Sequence, residues 1–232
     1  MKYKIFSKVV WAILFVVPGT AQSDVFDDVP AAAGYEVVYT LDLPANGNFA
    51  QGGVDYVGDQ RDDWNRNFDR IAYYLRLQRA GEAAQFIFVS GTAFARSGAE
   101  LGIPVAGSGI LHQTVFDDLI IASNVEGIVT GEGLSGGFVE MWEWNYSPPN
   151  TARVPGARDD VYDFGDNPTV NNGAYGSFQV HNIEAEQTLF AYNRWNDNGP
   201  ADLGIGNNSV AANDGRLHTD WTFRGNAPTY EV

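Results

Sequence analysis

Cysteine is absent from the 232 residues of this chain. That excludes disulfide staples, thiol nucleophiles, zinc fingers and iron–sulfur clusters together. Basic residues are few, 14 Lys+Arg against 29 Asp+Glu, for a formal charge of −15. A nucleic-acid binder needs a basic footprint, so that class is excluded too. Lysine occurs only at Lys2, Lys4 and Lys8. The strongest apolar run, Val9–Val17, is far short of the roughly 20 residues that cross a hydrocarbon core. No fixed-period repeat and no Pro- or Ser-rich linker divides the chain. What is present is a 44% apolar content, enough for a real core, which excludes disorder.

The three lysines, the short apolar run, the helix-breaking Pro18-Gly19 and the small residues Gly19, Ala21 and Ser23 form a leader pattern. Residues 1–23 are therefore expected to be a signal peptide, cleaved after Ala21 or Ser23, and the protein to be secreted or periplasmic in a Gram-negative bacterium. Losing three lysines takes the charge from −15 to −18, with arginine as the only strong base. An acidic, lysine-free surface stays hydrated in strong salt, where long-range repulsion is screened. A marine habitat is the expectation, and acidic oxygens also suit calcium.

Beyond the leader the apolar residues come in short runs rich in β-branched and aromatic side chains. Expected strands are Tyr35–Leu43, Arg70–Gln78, Gln85–Ser90, Asp118–Ser123, Gly127–Gly131, Phe138–Asn145, Gly176–Asn182, Gln187–Trp195, Asp220–Phe223 and Thr229–Val232. Turn pairs such as Asn46-Gly47 and Asp214-Gly215 lie between them. Arg70–Arg79 also fits an amphipathic helix, but Ile71, Tyr73, Leu75 and Leu77 alternate with period two, which favours a strand. The fold predicted is all-β, one β-sandwich or jelly roll, concanavalin-like or similar, with short helices at most. Residues 24–33 form a lead-in and 34–232 one domain, whose final strand is expected to be cut short at Val232.

Few strings carry chemistry. Gly133-Leu134-Ser135-Gly136-Gly137 matches G-x-S-x-G, but a serine nucleophile needs a strand-to-helix turn. Between two strand-like runs, a glycine-rich hairpin is the simpler expectation. His218 and Asp220 share one face of a strand, and His181 stands late in another, so these three are the weak catalytic candidates. The histidines at 112, 181 and 218 lack metal-ligand spacing. Asp163 and Asp166 in one acidic turn, and Asp197 and Asp202 in another, are candidates for a structural calcium ion. Trp142, Trp144 and Tyr146, with Asn193, Arg194 and Trp195, mix aromatic faces with hydrogen-bonding groups. That mixture suits a sugar, which presents apolar faces and hydroxyl rims.

Several strings taken together are familiar: YEVVYTLDLP, FDRIAYYLRLQ, VEMWEWNY and the tail VYDFGD…YGSFQVHN…QTLFAYNRW…ADLGIGN…DWTF. From about Gly34 to the end they resemble an accessory β-sandwich domain of secreted bacterial proteins. That domain often lies next to sialate O-acetylesterase-like or other glycan-active modules. The resemblance implies a sandwich in a glycan-related setting and carries no catalytic residues. The Gly-Asp-Ser nucleophile block of the esterase modules is missing, so their chemistry does not transfer. The expected function is thus carbohydrate binding as an accessory domain. A polysaccharide- or glycan-ester-active hydrolase or lyase is the first alternative. An extracellular subunit that assembles through strand edges is the second.

Overall fold

The computed structural model describes residues 14–15, 21–41, 56–64, 67–79, 83–104, 108–142, 177–193, 202–206 and 230–231. Thirteen strands are assigned there. They are β1 (Leu14–Phe15), β2 (Tyr39–Leu41), β3 (Tyr56–Asp59), β4 (Arg70–Arg79), β5 (Gln85–Thr92), β6 (His112–Val115) and β7 (Leu119–Ser123). The rest are β8 (Gly131–Leu134), β9 (Gly137–Trp142), β10 (Ser177–Asn182), β11 (Gln187–Asn193), β12 (Asp202–Ile205) and β13 (Tyr230–Glu231). One short helix, α1 (Ala21–Asp28), and two 3-10 turns, Pro30–Gly34 and Gly98–Leu101, complete the elements. The protein is an all-β sandwich.

One sheet runs β3-β2-β1-β4-β5-β7-β8, with β13 also on β4, and the other runs β12-β11-β10-β9-β6. Leu14–Phe15, inside the segment expected to be a leader, pairs in parallel with both β2 and β4. The remaining strands follow the expected cleavage points. Alternation sends every second side chain of a strand inward. Tyr73, Leu75, Ile87 and Val89 of the first sheet meet Val139, Met141, Phe178, Val180 and Phe190 of the second in one buried cluster. Tyr73 is the centre of that contact, edge-on to Phe178 with centroids 4.7 Å apart and to Phe190 at 6.1 Å. Burying each such ring is worth about 1.5–3 kcal/mol.

The period-two reading of Arg70–Arg79 holds: Ile71, Tyr73, Leu75 and Leu77 all enter the main core. The alternate residues Ala72 and Tyr74 are buried as well, in a second cluster on the opposite face. There Val25, Val29 and Ala32, from α1 and the turn after it, cover Ala72, Tyr74 and Phe88. The Tyr74 hydroxyl donates to Asp28, and Arg76 lies 3.6 Å from the same carboxylate.

Some boundaries differ from expectation. Of Tyr35–Leu43, residues 35–38 are not strand and β2 begins at Tyr39, because Tyr35 closes a 3-10 turn through its N–H to the Ala32 carbonyl; Asp42 and Leu43 lie outside the described residues. Residues 127–130 are not strand, since Gly127 adopts φ +84° in a turn and interrupts the extended backbone. The strand begins after it, at Gly131. Strands β3, β6 and β12 were not anticipated; they are short and half polar, so apolar runs do not mark them. Asp220–Phe223 lies outside the described residues.

The glycine-rich stretch is not a hairpin. β8 pairs with β7 in the first sheet, whereas β9 pairs with β10 and β6 in the second, so Ser135-Gly136 carries the chain from one sheet to the other. A Cβ on Gly137 would lie 1.9 Å from the Phe116 carbonyl, and Gly136 has φ +83° against Glu184. Close passage between sheets, rather than nucleophile chemistry, accounts for these glycines. Ser135 donates to the Glu184 carboxylate at 2.7 Å. A strand follows it where a nucleophile elbow requires a helix.

Candidate functional site on the outer face of the five-stranded sheet

In the five-stranded sheet, Val139, Met141, Phe178 and Val180 point into the core. The residues between them therefore belong to the opposite face. Those residues are polar and, unusually for an outer face, fully buried: Glu140, Gln179, His181 and Thr188 are each 0% exposed. Register aligns them. Glu140 stands opposite Gln113 on one side and Gln179 on the other, so an acid and two amides form a row across β6, β9 and β10. His181 and Thr188 form the next pair along, where a bulge at Val180/His181 re-aims the strand.

Within this patch the His181 Nε2 is 3.4 Å from the Glu140 Oε2. Its Nδ1 is 3.2 Å from the Thr188 hydroxyl. The ring thus stands between a hydroxyl at its Nδ1 and a carboxylate that pairs with its Nε2 when the ring is protonated. The Gln179 amide has no hydrogen-bond partner among the described residues. It offers donors and an acceptor that cost about 1–3 kcal/mol to bury unmet.

One residue pair beyond the Glu140–Gln179 row, in the same parity, the backbone aligns four more positions. Trp142 pairs with Ser177, Ser177 with Asn193, and Asn193 with Asp202. Three residues singled out in the sequence, one of them some fifty residues before the other two, share one cross-strand row. The connection 143–176 leaves from Trp142 and returns at Ser177, and 194–201 leaves from Asn193 and returns at Asp202. Both therefore depart from this same end of the sheet. Trp144, Tyr146, Asp163, Asp166, Arg194, Trp195 and Asp197 belong to those connections and lie outside the described residues, as do His218 and Asp220. Among the described residues no three His, Asp or Glu side chains are grouped to hold a metal ion.

Glu140, Gln179, Gln113 and Thr188 were not recognised from sequence. A polar residue inside an apolar strand reads as one that faces solvent; only packing reveals that these are covered. The other histidine in the described residues, His112, is structural. Its ring sits edge-on to Phe94 at 4.9 Å and its Nε2 is 3.1 Å from the Glu100 carbonyl. Trp64 is also core, 7% exposed. No helix among the described residues is long and apolar enough to span a membrane.

Comparison with known proteins finds no matching family model, no matching curated protein and no matching solved structure.

Proposed function

We propose that this chain is a secreted carbohydrate-binding or accessory domain that engages a glycan at the end of its five-stranded sheet where Trp142, Asn193 and Asp202 align. The observation that carries the reading is the alignment of Trp142, Asn193 and Asp202 in one cross-strand row. An aromatic, an amide and a carboxylate residue are the types that match the apolar face and hydroxyl rim of a sugar. The net charge of −15 favours neutral over anionic glycans. Isothermal titration of the exported protein against neutral and anionic marine polysaccharides tests this. Binding to a neutral glycan, weakened at least tenfold (about 1.4 kcal/mol) in Trp142→Ala, is the expected outcome. No heat with any glycan overturns it. N-terminal sequencing of the exported protein should begin at Gln22 or Asp24.

A second reading, a glycan-active hydrolase or lyase, draws on one specific observation. The contact between Glu140 and His181 brings a carboxylate and an imidazole together in a buried site, as general acid–base chemistry requires. It predicts turnover of a polysaccharide or its ester that His181→Ala abolishes while the circular dichroism spectrum is retained. Absence of turnover across the polysaccharide panel removes this reading and leaves the binding one.

A further inference from the structure

The row of Trp142, Ser177, Asn193 and Asp202 extends one position further, towards β6. That strand pairs antiparallel with β9, with Gln113 opposite Glu140 and His112 opposite Met141. One step along the same register sets Leu111, the residue just before β6, beside Trp142. Side chains alternate along extended backbone. His112 packs inward, edge-on to Phe94, and Leu111 is turned the other way, 63% exposed.

Among the described residues the exposed large apolar side chains are Val57, Leu111, Val115 and Val129. Leu111 is the one that falls in this row. Val57 belongs to β3 of the other sheet, and Val129 precedes β8. Val115 shares the face of Leu111 but ends β6, four residues and so roughly 13 Å along the strand. The other members of the row are an aromatic, a hydroxyl, an amide and a carboxylate residue. Leucine neither donates nor accepts a hydrogen bond, so it selects only by the apolar area it covers. Neighbouring strands lie about 4.8 Å apart, which puts Leu111 within reach of a substituent on a sugar ring held at Trp142. A hydroxyl brought there loses hydration without gaining a partner, whereas a methyl group gains by contact.

We infer that this site selects a methyl-bearing sugar, a deoxyhexose or an O-acetylated residue, and that Leu111 is the side chain that reads the methyl group. The selectivity rests on the glycan-binding reading above and narrows it to a class of sugar. Both kinds of sugar are uncharged, as a chain of −15 favours.

Isothermal titration with two matched pairs of neutral ligands tests it. One pair is an α-L-fucoside and the α-L-galactoside, which differ by methyl against hydroxymethyl. The other is an acetylated xylan and the same xylan after alkaline deacetylation. The methyl-bearing member of one pair is expected to bind about threefold to fivefold more tightly, and the pair that shows this identifies the source of the methyl group. Leu111→Ser is expected to erase the preference while binding of the other member persists, and Val115→Ser, equally on the surface, to retain it. Equal affinity within both pairs overturns the selectivity and leaves glycan binding in place, as does a preference that survives Leu111→Ser. No heat with any ligand overturns the selectivity together with the reading beneath it.

Discussion

The two sheets of this sandwich treat their outer faces in opposite ways. The outer face of β4 and β5 is apolar, Ala72, Tyr74 and Phe88, and the chain's own N-terminal segment covers it with Val25, Val29 and Ala32. The outer face of β9 and β10 is equally buried but polar, built from Glu140, Gln179 and His181. The first arrangement gains free energy from every group it hides. The second gives up hydration of a carboxylate and an amide and recovers only part of it in internal contacts. Burying polar groups across three adjacent strands gives this face a cost that the apolar face does not carry. That contrast, rather than any single motif, directs attention to the five-stranded sheet.

The largest test of the contrast is on the apolar side. Phe88→Ala opens a cavity beneath Val25 and Val29 and is expected to lower unfolding free energy by about 3–5 kcal/mol, read from urea denaturation. A loss under about 1 kcal/mol would mean that the N-terminal segment does not close this face. On the polar side the sign differs. Gln179→Leu replaces a buried amide by an apolar group of similar size, so stability should stay within about 1 kcal/mol of wild type or rise. A strong destabilisation would show that Gln179 is a structural residue, and the contrast between the faces would collapse.

The smallest effect concerns pH and lies outside both outer faces. Burial holds His112 below its usual value, with the Glu100 carbonyl and charge acting in the opposite direction. The unfolded chain therefore binds a proton near pH 6.5 that the folded chain resists. Stability from this group is complete above that pH and declines as pH falls from about 7 to 5. Glu100 is held low chiefly by the Arg96 backbone N–H, against its partial burial, so its contribution persists to lower pH and is lost as the carboxylate protonates. Urea midpoints of His112→Gln should show a flatter slope between pH 7 and 5 than wild type. An unchanged slope assigns the dependence to other groups.

Strand identity was readable wherever packing leaves a period in the sequence. Ile71, Tyr73, Leu75 and Leu77 announce β4 because each reaches the same core. In Gln85–Thr92 the run QFIFV announces β5 because both of its faces are covered. Edge strands β3 and β6 left no such trace, since an edge strand buries little and tolerates polar residues. Ser135-Gly136 misled for a related reason: a turn between paired strands and a crossing between sheets require the same glycines. Of the candidate residues, Trp142, Asn193 and Asp202 stood out as types suited to a ligand. Nothing in their spacing indicated that they share a row.

By itself the sequence determined the class of fold, the strongly acidic surface and the absence of thiol chemistry. These depend on composition and on side-chain alternation along one strand, which are local properties. Only the tertiary structure decided that Glu140 meets Gln179 and His181, that the polar face is buried, and that β6 ends a sheet among the described residues. Each of those rests on register between segments tens of residues apart, and register is set by the packing of the whole core rather than by any one stretch of chain.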